Sequence, residues 1–269
     1  MVSLMKLNRN LLTAASSVIL IVVLFFTSPA LAHRPLTTQS AYPEKVHRVK
    51  LETGVRYVNF PGEAESNSVD VEVNYGVINN LDVGVEIPYV FWRPSGGDEN
   101  VDTLGDMILK SRLLFLKGRE GNPISLTIQP FFKIPTPEND KTVLQSGLST
   151  GETDFGFVFI ATREMSQSLR AHLNMGYTFI NKPSWVDEYD YDNVFSFKVA
   201  AEYSADDEIE IVGEVNGETN KDPDSSDFFS ILLGARYRIM EGVLLDAGFS
   251  VGISDESPDS ATVGLTMDF

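Results

Sequence analysis

The chain has 269 residues, with 38 acidic and 21 basic side chains, a formal net charge of -17 and a mean hydropathy of -0.05. This excess of acidic residues argues against nucleic acid as a partner and favours an attraction for cations. Because the sequence contains no cysteine, disulfide bonds, thiolate chemistry and a lipid-modified N-terminal cysteine are all excluded.

The start of the chain has the pattern of a secretory signal peptide. Lys6 and Arg9 are basic, Leu11–Phe26 is an almost unbroken apolar run, and Ala30–Ala32 has the small-x-small pattern of a cleavage site. A retained membrane anchor is the alternative, but the apolar run is shorter than the roughly 20 residues that a spanning helix needs. We therefore predict that residues 1–32 are a signal peptide and that the mature chain is exported.

The rest of the chain contains about twelve segments in which apolar and polar residues alternate over roughly ten residues, the length of a tilted strand that crosses a bilayer. In the first segment Val49, Leu51 and Val55 lie on one face, and Lys50 and Glu52 lie on the other. Lipid-facing and lumen-facing residues cancel in such a pattern, which explains the mean hydropathy near zero.

The connections between these segments alternate between short and long. Asn79-Asn80 and Met240–Gly242 are short, whereas Arg93–Asp102, Thr136–Glu152 and Asn181–Asp192 are long. Short periplasmic turns, longer external loops and an even number of strands are features of bacterial outer-membrane barrels. We predict an all-β, antiparallel, up-and-down transmembrane β-barrel of about twelve strands, with ten and fourteen strands as the alternatives.

The barrel is predicted to occupy residues 48–269, after a periplasmic N-terminal segment at residues 33–47. The last segment, Val263–Asp268, alternates strictly and is followed by Phe269 as the terminal residue. A terminal aromatic residue after such a strand resembles the recognition signal of bacterial outer-membrane barrels. We therefore predict that Phe269 is an assembly signal for the barrel-assembly machinery. The expected location is the bacterial outer membrane, with its lipids and lipopolysaccharide as partners.

Several short motifs resemble one family of outer-membrane proteins. They are Gly105-Asp106, Asn174–Tyr177, Leu233–Tyr237, Leu245–Asp255 and Gly264–Thr266. Together they resemble the phenol-degradation meta-pathway outer-membrane transporters, over most of the mature chain. The resemblance implies uptake of small aromatic or hydrophobic molecules, and it brings no active-site residues with it. We expect no cofactor.

Charged residues of both signs occupy the predicted inward face of the barrel. We predict that they form a lumen charge constriction, with Glu52, Arg56, Asp70, Glu72, Glu86, Lys110, Arg112, Lys133, Arg170 and Arg236 as its members. Salt bridges among these side chains would cross a narrow pore. The alternative is that the charges pair to fill the barrel and close it.

Apolar residues are unexpected on the inward face, yet several lie in its outer half. We predict that they form an outer apolar collar, with Val58, Phe60, Val90, Trp92, Phe131, Ile180, Val194 and Phe228 as its members. Such a collar would capture an apolar solute above the charged constriction. The alternative is that these residues pack against infolded external loops.

Two prolines fall inside predicted strands. Pro88 lies in the third strand and Pro130 in the fifth, and each removes a hydrogen-bond donor from the sheet. We predict that they are wall kinks. One interpretation is a harmless bulge near the outer rim; the other is a local opening through which an apolar solute leaves the lumen sideways.

The sequence offers no complete set of catalytic groups. His172 is the only histidine inside a predicted strand, and we interpret it as part of a polar network in the lumen. Ser111, the clearest outward serine, lacks the outward histidine that a lipid hydrolase requires. We predict that the protein is not an enzyme and has no metal centre.

Two functions are open at this point. The first is passive uptake of small hydrophobic or aromatic molecules through a narrow, charge-lined lumen. The second is a structural or surface-interaction protein with a plugged barrel and acidic, cation-binding loops. Asp187–Asp192 and Asp222–Asp227 are the most acidic loops, although neither has the central glycine of a twelve-residue calcium loop.

Overall fold

A computed structural model describes residues 33–62, 64–94, 99–119, 123–136, 148–181 and 191–269. Within these ranges the strands are β1 (Val49–Asn59), β2 (Glu65–Ile78), β3 (Leu81–Arg93), β4 (Val101–Leu104), β5 (Met107–Leu116), β6 (Ile124–Ile134), β7 (Asp154–Glu164), β8 (Leu169–Phe179), β9 (Val194–Ser204), β10 (Ile209–Glu218), β11 (Phe228–Met240), β12 (Val243–Gly252) and β13 (Asp259–Asp268). No helix in the same ranges is long and apolar enough to cross a bilayer. The predicted signal peptide, residues 1–32, lies outside the described residues and stays a prediction.

The strands close into the predicted antiparallel barrel of twelve strands. Neighbours along the chain pair with one another, and β13 pairs with β1 to complete the ring, so that Gly264 lies opposite Gly54. The short β4 pairs with the outer part of β3 and leads through Gly105 and Asp106 into β5, so β4 and β5 are two pieces of one wall strand. Closure gives each wall strand a hydrogen-bonded neighbour on both edges. This is needed because backbone N–H and C=O groups in lipid have no water to bond.

The alternation of the sequence decides which side chains face the lipid. On the outer face Val55, Leu233 and Phe249 are 55%, 67% and 55% exposed, as expected for an apolar band against lipid tails. On the inner face Glu52 and Thr266 are 1% and 0% exposed. Polar groups buried this deeply need partners, because an unpaired buried polar group is costly.

The two ends of the barrel differ in their connections. The start of β1 and the end of β13 lie at the end with the shorter turns, such as 79–80 and 241–242. The strands that flank the longer links, β6 with β7 and β8 with β9, meet those links at the opposite end. By the convention of this class the first end is periplasmic and the second is external. At the periplasmic end the Phe269 backbone N–H donates to the Val49 carbonyl at 2.8 Å, which ties the last residue to the first strand.

Residues 33–47 lie inside the barrel and are called here the lumen segment. Its backbone bonds to side chains around the wall: Thr37 N–H donates to Glu214 at 2.9 Å, and Gln39 N–H donates to Asn174 Oδ1 at 2.8 Å. The prediction of a periplasmic segment is therefore wrong. The physical reason is that inward polar side chains supply partners for an irregular backbone, which a segment without strand alternation cannot find within itself.

Glycines on the inward face make room for the lumen segment. A Cβ atom added to Gly54 or Gly264 would lie 2.0 or 2.3 Å from the Arg34 guanidinium. At Gly248 a Cβ atom would lie 2.8 Å from Pro35 Cβ. Close approach of another chain segment is a common reason for glycine within a strand.

A small apolar core also holds the lumen segment in place. Leu36 is buried against the inward residues Ala200, Val212 and Leu232. These side chains come from β9, β10 and β11, so the apolar contact lies on one side of the lumen. The segment is thus fixed by hydrogen bonds around the ring and by packing on one wall.

Candidate functional site

All ten residues of the predicted charge constriction lie on the inward face, but they do not form one ring across a pore. They form separate groups in which opposite charges lie on neighbouring strands or on the lumen segment. The register creates several of these pairs directly, since Asp82 lies opposite Arg112, and Arg170 lies opposite Glu202. The predicted pore-crossing salt bridges are therefore replaced by pairs along the wall, and the role of this set as a constriction stays a prediction.

The first group joins the lumen segment to β1, β3 and β5. Arg112 Nε donates to Asp82 Oδ1 at 3.1 Å, and Arg112 Nη2 lies 3.0 Å from Glu44 Oε1. Lys50 Nζ lies 2.5 Å from the same Glu44 oxygen, and Glu44 N–H donates to Asp82 at 2.8 Å. Glu44 thus closes a four-residue network near the periplasmic end.

The second group lies on β7 to β11. Arg236 Nη1 donates to Glu202 Oε1 at 2.8 Å and to Glu210 Oε2 at 3.1 Å, while Arg170 Nη2 lies 3.0 Å from Glu202 Oε2. The His172 ring contacts Thr162 Oγ1 at 2.9 Å and Glu202 Oε2 at 3.3 Å. His172 therefore belongs to a polar network in the lumen, in agreement with the interpretation from its position in a predicted strand.

The third group surrounds His33 of the lumen segment. His33 Nδ1 lies 2.7 Å from Glu52 Oε2, and His33 Nε2 lies 3.8 Å from Glu72 Oε2. The possible ligand atoms of these three residues lie within 4.8 Å of one another, a spacing compatible with a shared cation. Lys110 Nζ already lies 2.8 Å from Glu72 Oε2, so an ammonium group competes for that charge.

The members of the constriction near the external end pair separately. Lys133 Nζ lies 2.8 Å from Asp154 Oδ2 and 3.3 Å from Asp106 Oδ2. In the adjacent 219–227 loop, burial and the nearby Lys133 charge lower the pKa of Lys221 to about 8. Nearby carboxylates act in the opposite direction but do not cancel this decrease. The external mouth therefore has a charge pattern of its own, distinct from the groups around the lumen segment.

A cavity of about 330 Å³ opens in the outer half of the lumen and is called here the outer cavity. Val58, Phe60 and Phe228 of the predicted collar line it, together with Leu232 and Pro35. Arg56 lies on its lining, as do several hydroxyl side chains. An apolar enclosure with a few polar groups is the usual character of a small-molecule site.

The other collar residues also face inward but lie elsewhere. The Trp92 ring contacts the Phe60 ring at 5.2 Å between centroids, which extends the apolar surface from the outer cavity onto β3. Val90 lies beside Gly105 and Phe131 lies over Gly156. Ile180 and Val194 are half-buried near the external end. The action of these residues as one collar stays a prediction.

A second cavity, of about 270 Å³, lies beside the lumen segment and is called here the polar cavity. Acidic residues of the predicted constriction line it, namely Glu52, Asp70, Glu72 and Glu86, and Arg56 and Lys198 lie on the same lining. Arg56 and Thr37 line both cavities. The two cavities therefore adjoin, with the apolar one outermost.

Both predicted wall kinks interrupt the pairing of β5. Pairing between β5 and β6 stops at Lys110 opposite Phe131 and resumes at Leu113 opposite Ile128, which leaves a break at Pro130. On the other edge the register shifts next to Pro88, whose carbonyl accepts from Gly105 N–H at 2.8 Å. Pro88 and Pro130 thus weaken the same wall strand from both sides.

The described acidic loop uses its carboxylates to stabilise its own turns. Asp222 accepts from Asp224 N–H at 3.0 Å and from Ser225 Oγ at 3.1 Å. Asp227 Oδ1 accepts from Asn220 N–H at 3.1 Å. In the other predicted acidic loop, Asp187 to Asp190 lie outside the described residues.

Sequence reasoning missed the lumen segment and therefore its contribution to the site. His33, Arg34 and Glu44 each contribute a charged or hydrogen-bonding side chain inside the barrel. The available signal was the row of glycines at inward positions, Gly54, Gly248 and Gly264, where a barrel wall usually carries side chains. Such gaps are explained by close approach of a second segment.

The closed barrel, its apolar outer band and its charged lumen define the class: this is an antiparallel β-barrel with the fold of bacterial outer-membrane channels and porins. Residues 32–267 match the family described as "Putative MetA-pathway of phenol degradation", and the chain belongs to that family. No curated protein matches the chain.

Solved structures share the fold at low sequence identity. The COG4313 outer membrane channel from Pseudomonas putida F1 has a TM-score of 0.69 at 11% identity, over 85% of this chain and 98% of that chain. The NanC porin has a TM-score of 0.59 at 10% identity, over 81% of this chain and 98% of that chain. The CymD monoaromatic hydrocarbon channel has a TM-score of 0.50 at 10% identity, over 83% and 89%. These likenesses establish the barrel fold.

Proposed function

We propose that this barrel mediates passive uptake of small hydrophobic or aromatic molecules across the outer membrane. The single observation that carries the proposal is the outer cavity, an apolar enclosure that faces the external end above a charged and hydrogen-bonded interior. Apolar walls in a lumen bind a solute that leaves water readily, because they offer few hydrogen-bond partners to a polar solute. Family membership and the solved aromatic hydrocarbon channel with the same fold support this choice.

The interior below the outer cavity supports a route that is not straight through the barrel. The lumen segment, with Leu36 packed on β9 to β11 and Glu44 held near the periplasmic end, occupies the axial path. An apolar solute would have to cross the polar cavity and its carboxylates, where it loses the free energy gained by apolar contact. We therefore infer that the solute leaves through the wall at β5, where Pro88 and Pro130 interrupt pairing.

Uptake into cells tests the proposal. Accumulation of a labelled aromatic hydrocarbon such as toluene is measured in a deletion strain that carries either the wild-type gene or Phe228→Asp, which puts a charge into the outer cavity. The control is Phe229→Asp at the adjacent, lipid-facing position near the external end, checked for assembly by heat-modifiable gel mobility. We expect Phe228→Asp to reduce uptake at least fivefold. Equal uptake by the deletion strain and the wild type would reject the transport function.

A second function is favoured by one observation, the occupied lumen. A barrel filled by its own N-terminal segment is compatible with a structural or surface-interaction protein whose acidic loops bridge lipopolysaccharide through divalent cations. Calcium titration of the purified barrel distinguishes this function: saturable ordering of the external loops below about 1 mM Ca²⁺ supports it. Recognition of Phe269 by the barrel-assembly machinery and contact with lipopolysaccharide are part of the proposal for either function.

A further inference from the structure

We propose that the outer cavity binds small carboxylic acids with an apolar body, with Arg56 as the anchor for the carboxylate. This inference rests on the proposed function and names the head group of its solute. The charged residues of the lumen are mostly paired, and Arg56 is an exception that lies on the lining of the cavity. An unpaired guanidinium beside an apolar enclosure is suited to an amphipathic anion.

Arg56 has no ion pair or side-chain hydrogen bond with any residue in the described ranges, whereas Arg112, Arg170 and Arg236 each bind at least one carboxylate there. Its cross-strand partner Thr262 does not fill this role, since the Thr262 hydroxyl accepts from Arg34 Nη2 at 2.6 Å and donates to the Val55 carbonyl at 3.2 Å. The guanidinium therefore keeps its donors directed to the two adjoining cavities.

The carboxylates that line the outer cavity do not form an ion pair with Arg56 in place of a ligand. Glu214 also lines the outer cavity, but its oxygens accept from Thr37 N–H, Thr38 N–H and Thr37 Oγ1 at 2.9, 2.6 and 2.7 Å. Glu218 ends β10 at the external mouth. In the outer cavity a ligand carboxylate would thus meet donors at Arg56, while the charge of Glu214 is already bound by the lumen segment and Glu218 lies at the mouth.

The remaining lining fits the body of such a ligand. Val58, Phe60 and Phe228 supply apolar contact, and the volume of about 330 Å³ exceeds the roughly 150 Å³ of a cavity that holds one benzene ring. Asn216 also lines the cavity, and its amide oxygen is buried without a hydrogen-bond partner among the described residues. The site is thus more polar than a pure hydrocarbon requires.

Equilibrium dialysis tests the inference with the full mature barrel in lipid nanodiscs, using labelled benzoate and labelled toluene as probes and empty nanodiscs as the background. Toluene has the same ring and nearly the same size without the charge. The variants are Arg56→Gln, Arg56→Lys and, as a matched control, Lys198→Gln. The control removes another luminal cation that has no ion pair within the described ranges and that lines the polar cavity but not the outer cavity.

We expect Arg56→Gln to lower the ratio of benzoate to toluene affinity at least tenfold, as loss of a charge-assisted bidentate contact should. Arg56→Lys should retain part of the preference, and Lys198→Gln should match the wild type. An unchanged ratio in Arg56→Gln, or an equal loss in Lys198→Gln, overturns the anchor while leaving toluene uptake and the proposed function intact. Absence of binding for both probes in the wild type overturns both proposals.

Discussion

The carboxylate of Glu214 binds Thr37 twice, accepting from its backbone N–H at 2.9 Å and from its hydroxyl at 2.7 Å. One wall residue of β10 thereby fixes the middle of the lumen segment. The position of this segment decides whether water and ions find an axial path, so the contact has a direct functional consequence.

Removal of this carboxylate should loosen the lumen segment. In Glu214→Ala the three bonds to Thr37 and Thr38 are lost together, which we expect to weaken anchoring by about 5 kcal/mol, since each hydrogen bond to a charged group contributes roughly 1.5–3 kcal/mol. Planar-bilayer recordings should show a conductance several times that of the wild type. Glu208→Gln, in an exposed periplasmic turn, is the control, and equal conductance in all three proteins would show that Glu214 does not hold the segment.

A side chain added at Gly54 should displace the same segment from a different point. A Cβ atom there lies 2.0 Å from Arg34 Nη2, so Gly54→Val forces Arg34 and its backbone to move. Higher conductance and faster protease cleavage within residues 33–47 are expected. Gly213→Val is the matched control, because a Cβ atom there lies 3.4 Å from Leu233 Cδ2 and 3.8 Å from the Leu232 carbonyl oxygen, with no clash. The same effect in that variant would contradict the steric explanation.

Ion selectivity should follow the acidic lining of the polar cavity. Glu52, Asp70, Glu72 and Glu86 outnumber the cations on this lining, so any ionic path beside the lumen segment should prefer cations. Reversal potentials across a tenfold KCl gradient measure this preference. It should fade toward 1 M salt, where the Debye length falls to about 3 Å. Anion preference at low salt would refute the electrostatic reasoning.

Replacement of both prolines should close the wall at β5. Pro130 is exposed to lipid and Pro88 faces the lumen, so Pro130→Leu and Pro88→Thr suit their surroundings while restoring a backbone donor at each position. We expect the double variant to assemble normally and to take up hydrophobic solutes at least threefold more slowly, with ion conductance unchanged. Unaltered hydrophobic uptake in the assembled variant would remove the lateral route and leave the axial path.

The mature protein should begin at His33. The His33 backbone nitrogen lies 3.2 Å from Glu52 Oε1, so cleavage after Ala32 would place a positive α-amino group directly against a buried carboxylate. Intact mass spectrometry of the purified barrel tests this expectation. In Glu52→Gln the amino group loses its charge partner, and the N-terminal residues should become accessible to aminopeptidase. A mature chain that begins upstream of residue 30 would exclude this arrangement.

The strand pattern and the two faces of the wall follow from the sequence alone, because a period of two is a local property of each strand. Val49, Leu51 and Val55 had to face lipid once Lys50 and Glu52 faced the lumen. The family resemblance, the closed barrel and its membrane location rest on the same local patterns and are confirmed. The prolines too were visible in the sequence, although the break in pairing on both edges of β5 was not.

Only the tertiary structure decided where residues 33–47 lie and which charges meet. Gln39 and Asn174 are separated by 135 positions, and Thr37 and Glu214 by 177, so no local pattern connects them. The inward orientation of these side chains follows from the alternation of each strand. Which of them form ion pairs or hydrogen bonds depends on the strand register and on the lumen segment, whose backbone groups bond to side chains around the wall. For the same reason the sequence could not show that Arg56 lies on the outer cavity without an ion pair among the described residues, since this depends on where the other charges and the lumen segment lie.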